Sequence, residues 1–186
     1  MIPDIHRVAD VIREVAEREL VPHFVTLSAD DIDEKAPGDF VTAVDLAMER
    51  ELANALVPLL PGSLVVGEEA VHDDRGILSL LEGDAPVWVL DPLDGTGNYA
   101  QGLPIVAVIV ALVVKGETVA GWIYDPLSRR MAMTEKGEGA FMGSNRLWVR
   151  RPVEDRSLNG SIYGRFVRIS EPVSYTHLRA HETLLD

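Results

Sequence analysis

Two aspartates three residues apart follow an apolar run in the stretch VWVLDPLDGTGNY, residues 87–99. Pro92 cannot donate to a sheet ladder, so we expect it to end a strand over 87–90 and to leave Asp91 at the exposed strand tip. Asp94 then lies near enough for both carboxylates to face one small volume, where two anions repel unless one is protonated or a cation lies between them. Mg²⁺ is the natural candidate, because it prefers hard oxygen ligands and combines a few carboxylates with phosphate. The backbone carbonyl of Leu93 could complete such a shell.

A glycine-rich turn comes directly after these aspartates. Gly95 and Gly97 flank Thr96, and glycines let the backbone approach a ligand closely. If a helix begins here, its free N–H groups form an anion site suited to phosphate. The letters D-P-x-D-G are also typical of an ordinary surface turn, and for this motif taken alone that alternative stays open.

Two further polar clusters lie upstream. VVGEEA places Glu68 and Glu69 directly after an apolar strand. The segment KAPGDFVTAVD carries Lys35, Asp39, Thr42 and Asp45. A Glu pair after a strand is more often a solvated helix start than a ligand pair, but three clusters in one chain favour a functional site.

The elements that must position these clusters are predicted from apolar spacing. Helical periodicity predicts one helix from about Ile5 to near Pro22, and a second from about Ala43 to Leu60. The other patterns predict short strands in SLVVG and VWVLD, a short helix in RGILSLLEGD, and hairpin strands in IVAVIVALVV, VAGWIYDP and RMAMTEKGEGAFM. Clustered strands with helices before and among them favour an α+β fold. We expect Trp88, Trp122 and Trp148 to pack on the sheet, each with a partner for its indole N–H.

Composition narrows the classes of partner. The net charge of −13 over 186 residues argues against binding to a nucleic acid backbone, although divalent cations can bring phosphate to an acidic protein. We find no run of eighteen apolar residues and no signal peptide, which predicts a cytoplasmic protein without a membrane span. Cysteine is absent, which excludes disulfides, thiolate metal sites and cysteine nucleophiles.

The segments GDFVTAVD, VVGEEA and WVLDPLDGTGNY, in this order, resemble the inositol monophosphatase family of magnesium-dependent phosphatases, over roughly residues 5–165. The resemblance implies a layered helix and sheet sandwich of the inositol monophosphatase and fructose-1,6-bisphosphatase type. It implies that residues 1–150 form an N-terminal metal- and phosphate-binding domain, that 151–172 begin an incomplete second domain, and that the full-length form is a homodimer.

The resemblance also implies residue roles. One Mg²⁺ would be held by Glu68, Asp91 and the carbonyl of Leu93, and Asp91 and Asp94 would help to hold a second. Thr96 would act with Glu68 to activate the attacking water. The backbone of Gly95 to Gly97 would cradle phosphate. Lys35 and Asp45 would support the water and a further metal. We expect Glu69 to support the ligands without being one. Gly97 departs from the family pattern, where many members have a second threonine.

The implied activity is a phosphomonoesterase that hydrolyses a small polyol or sugar-alcohol phosphate, such as inositol 1-phosphate, by attack of metal-activated water. Histidinol phosphate, fructose 1,6-bisphosphate and phosphoadenosine phosphate remain alternative substrates. The haloacid-dehalogenase type of phosphatase is disfavoured, because its two aspartates are two residues apart and Asp91 and Asp94 are three apart. A fragment that binds cation or phosphate without turnover also stays open.

The end of the chain changes character. Residues 173–186 show no apolar periodicity and resemble the translation of a transposon-end sequencing adapter, so we expect a non-native tail on a truncated gene model. In the family, a Trp-Asp segment supplies a further metal ligand, and we do not find that segment in this sequence. Another interpretation is a polar tail in which His177 and His181 form a metal pair, but two histidines without a third ligand are weak evidence.

Overall fold

The computed structural model describes residues 2–24, 32–36 and 39–149, with the backbone alone described for 32–36 and 39–41. The chain divides into two units, Met1–Trp148 and Val149–Asp186. Nearly everything described belongs to the first unit. The predictions made for residues 151–172 and 173–186 lie outside the described residues.

The two predicted helices are present. Helix α1, Ile5–Glu19, begins where Oδ1 of Asp4 accepts the N–H groups of His6 (2.8 Å) and Arg7 (3.2 Å), which is an N-terminal cap. Helix α2, Ala43–Leu56, gives way to the 3₁₀ turn Val57–Leu59 before the predicted end at residue 60. Pro58 lies in that turn and has no N–H for a further α-helical bond.

The strands form a hairpin and a larger sheet. The hairpin pairs β1, Ile32–Ala36, with β2, Asp39–Thr42. The larger sheet comprises β3 Leu64–Gly67, β4 Val87–Asp94, β5 Ala107–Val114, β6 Glu117–Asp125, β7 Arg130–Glu135, β8 Gly139–Met142 and β9 Asn145–Leu147. These seven strands neighbour one another in chain order; β3 and β4 are parallel and all later pairs are antiparallel.

Two short helices interrupt this order beside the predicted site. Helix α3, Glu68–Asp73, follows β3 directly, and the 3₁₀ helix Arg75–Glu82 completes the crossover to β4. Helix α4, Thr96–Ala100, lies between β4 and β5. Both α3 and α4 therefore begin at the ends of adjacent parallel strands, which is where the acidic motifs lie.

The core lies between the helices and one face of the sheet. Trp88 of β4 and Trp122 of β6 are fully buried, with ring centroids 5.9 Å apart. Their Nε1–H groups donate to Ser63 Oγ (3.1 Å) and to the carbonyl of Ile5 (2.9 Å). The prediction that Trp148 packs in the same way is wrong: it follows the last strand and is 78% exposed.

The α+β prediction is confirmed, since helices α1 and α2 contact each other and pack against a mixed sheet rather than alternating with parallel strands. Among the described residues, no helix is both long and apolar enough to span a membrane.

Candidate metal and phosphate site

Strand β4 continues through Pro92 to Asp94, which corrects the prediction that the proline ends the strand. Asp91 pairs with Ile109 and Asp94 pairs with Ala107, so β4 uses one residue more than β5 over this interval. Such a bulge tolerates a proline, because a bulged residue need not donate to the ladder. Asp91 consequently is not at an exposed tip: its Oδ1 is buried and has no hydrogen-bond partner within the described part of the chain.

Glu68 meets Asp91 because their strands run in parallel. Gly67 lies opposite Leu90 in the β3–β4 register. The residues that follow them, Glu68 and Asp91, therefore lie at the same edge of the sheet. The Glu68 carboxylate lies near enough to Asp91 to act on its ionisation. Burial, followed by the negative charges of Glu68 and Asp94, raises the pKa of Asp91 to about 7. The site therefore concentrates negative charge that solvent neutralises poorly.

The donor chemistry suits a hard divalent cation. Carboxylate oxygens and a backbone carbonyl are the ligands that Mg²⁺ prefers, and a buried carboxylate oxygen without a protein partner is free to bind an ion or a water. Within residues 2–149, as far as the structure describes them, no three acidic or histidine side chains stand close enough to hold a metal ion together. The fold brings Glu68 and Asp91 to one edge of the sheet, where the negative charge of Asp94 also acts. The set of metal ligands stays a prediction.

At its first residue, the glycine turn has a backbone conformation that glycine adopts far more readily than other residues. Gly95 has φ +89°, and a Cβ there would lie 2.7 Å from the carbonyl oxygen of Ile105. The same oxygen accepts the side-chain amide of Asn98 (2.8 Å). The N–H of Tyr99 donates to the carbonyl of Gly95 (2.9 Å) and begins the hydrogen bonds of α4. The amides of residues 96–98 precede this bond, as at any helix start.

Thr96 joins the glycine turn to the buried Asp45. Its Oγ1 lies 3.0 Å from Oδ1 of Asp45 and 2.9 Å from the carbonyl oxygen of Leu93. Since a hydroxyl carries one hydrogen, it donates to one of them at a time. The other carboxylate oxygen of Asp45 accepts Thr42 N–H (2.8 Å) and Thr42 Oγ1 (2.5 Å), which forms a capping box at the start of α2.

Asp45 is 1% exposed. Burial raises the pKa of its carboxyl, and the hydrogen bonds from Thr42 and Thr96 oppose that rise. The carboxyl of Asp45 therefore lies in a position to hold the Thr96 hydroxyl in one orientation, beside the carbonyl of Leu93.

The structure thus forms two groups from the predicted residues. One is Glu68, Asp91 and Asp94 at the strand edge; the other is Asp45, Thr96 and the Leu93 carbonyl. Lys35 lies on β1, and the prediction about its side chain lies outside what is described. Gly97 lies inside α4, and Glu69 is 6% exposed beside Glu68.

Glu49 is the residue of this region that the sequence analysis missed. It accepts the N–H groups of Glu69 (2.8 Å) and Ala70 (3.2 Å) at the start of α3. The available signal was its spacing: Glu49 lies four residues after Asp45 on α2, so both acids share one helix face.

Known proteins match both the sequence and the fold. The model of the inositol monophosphatase family matches residues 5–185. Bovine inositol monophosphatase 1 is 33% identical over 141 residues, which cover 75% of this chain and 46% of that protein. A fructose-1,6-bisphosphatase/inositol-1-monophosphatase from Aquifex aeolicus is 33% identical over 159 residues, covering 84% of this chain and 56% of that protein.

A solved structure, an IMPase from Thermotoga maritima, superimposes with a TM-score of 0.68 at 26% identity and covers 87% of this chain and 60% of its own. The fold is that of the solved IMPase structure, and the sequence matches the family model over most of the chain. The chain belongs to the inositol monophosphatase family. It spans about half the length of the curated relatives that it matches.

Proposed function

We propose that the protein is a Mg²⁺-dependent phosphomonoesterase that releases phosphate from a small polyol phosphate of the inositol 1-phosphate type. The observation that carries the proposal is the strand edge where the charges of Glu68 and Asp94 act on Asp91 beside the glycine turn, with Oδ1 of Asp91 buried and without a hydrogen-bond partner among the described residues. The names of the relatives support the reaction class, since they are phosphatases of inositol phosphate and, for the Aquifex protein, of fructose bisphosphate.

Glu68, Asp91 and the carbonyl of Leu93 would hold the metal, with Asp94 beside them. When bound, Mg²⁺ neutralises phosphate charge and lowers the pKa of a coordinated water. The half-buried position of Asp91 keeps its carboxylate poorly solvated, which strengthens its attraction for a cation.

Thr96 would orient the attacking water. When its hydroxyl donates to Asp45 or to the Leu93 carbonyl, its oxygen lone pairs remain available to accept a hydrogen from water. The buried Asp45 fixes the direction of that hydroxyl, and it is the base nearest to receive a proton through Thr96. The backbone of Gly95 to Gly97 lies at the N-terminus of α4, where phosphate oxygens would meet amide N–H groups.

The test measures phosphate release from inositol 1-phosphate across a Mg²⁺ titration. Asp94→Asn should abolish Mg²⁺-dependent release, because one charge of the acidic edge is lost, while thermal unfolding changes little at this exposed position. Asp84→Asn is the matched control: its side chain is exposed and its partner is Lys115, at 4.0 Å. Retained turnover in Asp94→Asn contradicts the proposal.

The same assay separates the second candidate, a fragment that binds cation without turnover. Calorimetric Mg²⁺ binding that Asp94→Asn weakens, without phosphate release from inositol 1-phosphate or fructose 1,6-bisphosphate, would establish it.

A further inference from the structure

Glu49 connects α2 to the start of α3. Its two carboxylate oxygens accept separate amides, Oε2 from Glu69 at 2.8 Å and Oε1 from Ala70 at 3.2 Å. The N-cap residue of α3 is Gly67, which has no side chain with which to cap the helix. The carboxylate that satisfies the first turn of α3 thus comes from a residue about twenty positions earlier in the chain.

Gly67 makes room for this contact. A Cβ on Gly67 would lie 2.1 Å from Cδ of Glu49 and 2.2 Å from Oε2. The backbone of Gly67 has φ −102° and ψ 156°, which any residue adopts. A side chain at Gly67 would therefore displace the Glu49 carboxylate, whereas the backbone conformation there would accept any residue.

The contact fixes the residue that faces Asp91. Glu68 is the first residue of α3, directly between Gly67 and the amide of Glu69 that Glu49 holds. The β3–β4 register, in which Gly67 lies opposite Leu90, places Glu68 at the same sheet edge as Asp91. The negative charges of Glu69 and Glu68 lie near the Glu49 carboxylate. This repulsion opposes the contact, and the two amide hydrogen bonds offset it.

We propose that Glu49 is a positioning residue: by capping α3 from α2, it holds Glu68 against Asp91 in the arrangement that receives the cation. The role toward the cation rests on the proposed function. The cap rests only on the hydrogen bonds from the amides of Glu69 and Ala70 to Glu49. Groups that orient metal ligands change metal affinity by about 10- to 100-fold when they are removed, which sets the size of the expected effect.

The first experiment compares Glu49→Ala, Glu49→Gln and Glu51→Ala by amide hydrogen exchange and by calorimetric titration with Mg²⁺. Glu51 is the matched control, because it lies on the same helix but its partners are Arg18, at 3.2 Å, and Arg50, at 3.3 Å. Glu49→Ala should speed exchange of the Glu69 and Ala70 amides at least tenfold and weaken Mg²⁺ binding about tenfold or more. Glu49→Gln keeps one acceptor oxygen and should fall between, and Glu51→Ala should match the parent protein.

The outcomes separate the two claims. Unchanged exchange at Glu69 and Ala70 in Glu49→Ala overturns the cap, and faster exchange with unchanged Mg²⁺ affinity overturns the positioning role. If the parent protein takes up no Mg²⁺, the proposed function fails and the positioning role fails with it, while the exchange result still decides whether Glu49 caps α3.

A double-mutant cycle gives an independent test that does not depend on Mg²⁺. Gly67→Ala should displace the Glu49 carboxylate and speed exchange at Glu69 and Ala70 as Glu49→Ala does. In the Glu49→Ala background the same Gly67→Ala change should add less than a further twofold, because nothing is left to displace. Additive effects on the exchange rates would show that the two residues act separately and would overturn the inference.

Discussion

Replacing Gly95 with alanine tests the close approach of the glycine turn to the strand after it. Two costs apply at this position. A left-handed backbone costs an L-residue about 1–2 kcal/mol, and Gly95 has φ +89°. A methyl group 2.7 Å from the carbonyl oxygen of Ile105 forces a backbone shift, and overpacking of this kind costs about 1–3 kcal/mol.

Gly137→Ala is the matched control, since Gly137 has the same φ of +89° but nothing lies within 4 Å of the position that its new methyl group would take. Both substitutions reduce the entropy of the unfolded chain by the same amount, worth about 0.4–1 kcal/mol, so that contribution cancels in the comparison. The difference in the free energy of unfolding should therefore be the contact cost alone, about 1–3 kcal/mol.

Urea unfolding followed by tryptophan fluorescence measures both variants, because Trp88 and Trp122 lie in the core. We expect Gly95→Ala to lose more stability than Gly137→Ala, and to lose phosphate release in the assay described above. Equal losses of stability in the two variants would refute the reasoning, since they would show that the Ile105 carbonyl does not restrict this turn.

Two further predictions concern the hydroxyl of Thr96 and the carboxyl of Asp91. Thr96→Ala should lower kcat by about 10²- to 10⁴-fold while Mg²⁺ affinity changes little, and Thr96→Ser should restore most of the rate; an equal loss of rate and affinity would contradict a role at the water. For the metal-free protein, the raised pKa of Asp91 means that the folded state binds more protons than the unfolded state between about pH 4 and pH 7. Its stability should therefore fall as the pH rises through that window, and chemical denaturation at a series of pH values should show a shallower fall for Asp91→Asn but not for Asp84→Asn.

Local sequence patterns were sufficient to predict most elements of the fold. Apolar residues at helical spacing predicted α1, because Val8, Ile12 and Val15 form one buried stripe. Continuous β-branched runs predicted β5 and its neighbours in the same way. The errors lie where a residue's local preference competes with pairing, as at Pro92, which lies inside a bulge of β4 rather than after the strand.

For the candidate site too, local features were predicted from the sequence and contacts between distant segments were not. Its residue types were evident from the sequence, because carboxylates after apolar strands and glycines after carboxylates are local features. The family resemblance to the inositol monophosphatases, now shown, also depends on those short motifs.

Tertiary structure decided which of these groups meet and in what environment. Parallel pairing of β3 and β4 placed Glu68 beside Asp91, and the bulge buried an oxygen of Asp91 that sequence reasoning had left in solvent. The hydrogen bond from Thr96 to Asp45 joins residues 51 positions apart, and that from Glu69 to Glu49 joins residues 20 apart. Residue types follow from the sequence alone, whereas burial and contact between distant segments depend on how strands and helices pack, and these set the charge and hydrogen bonding of the site.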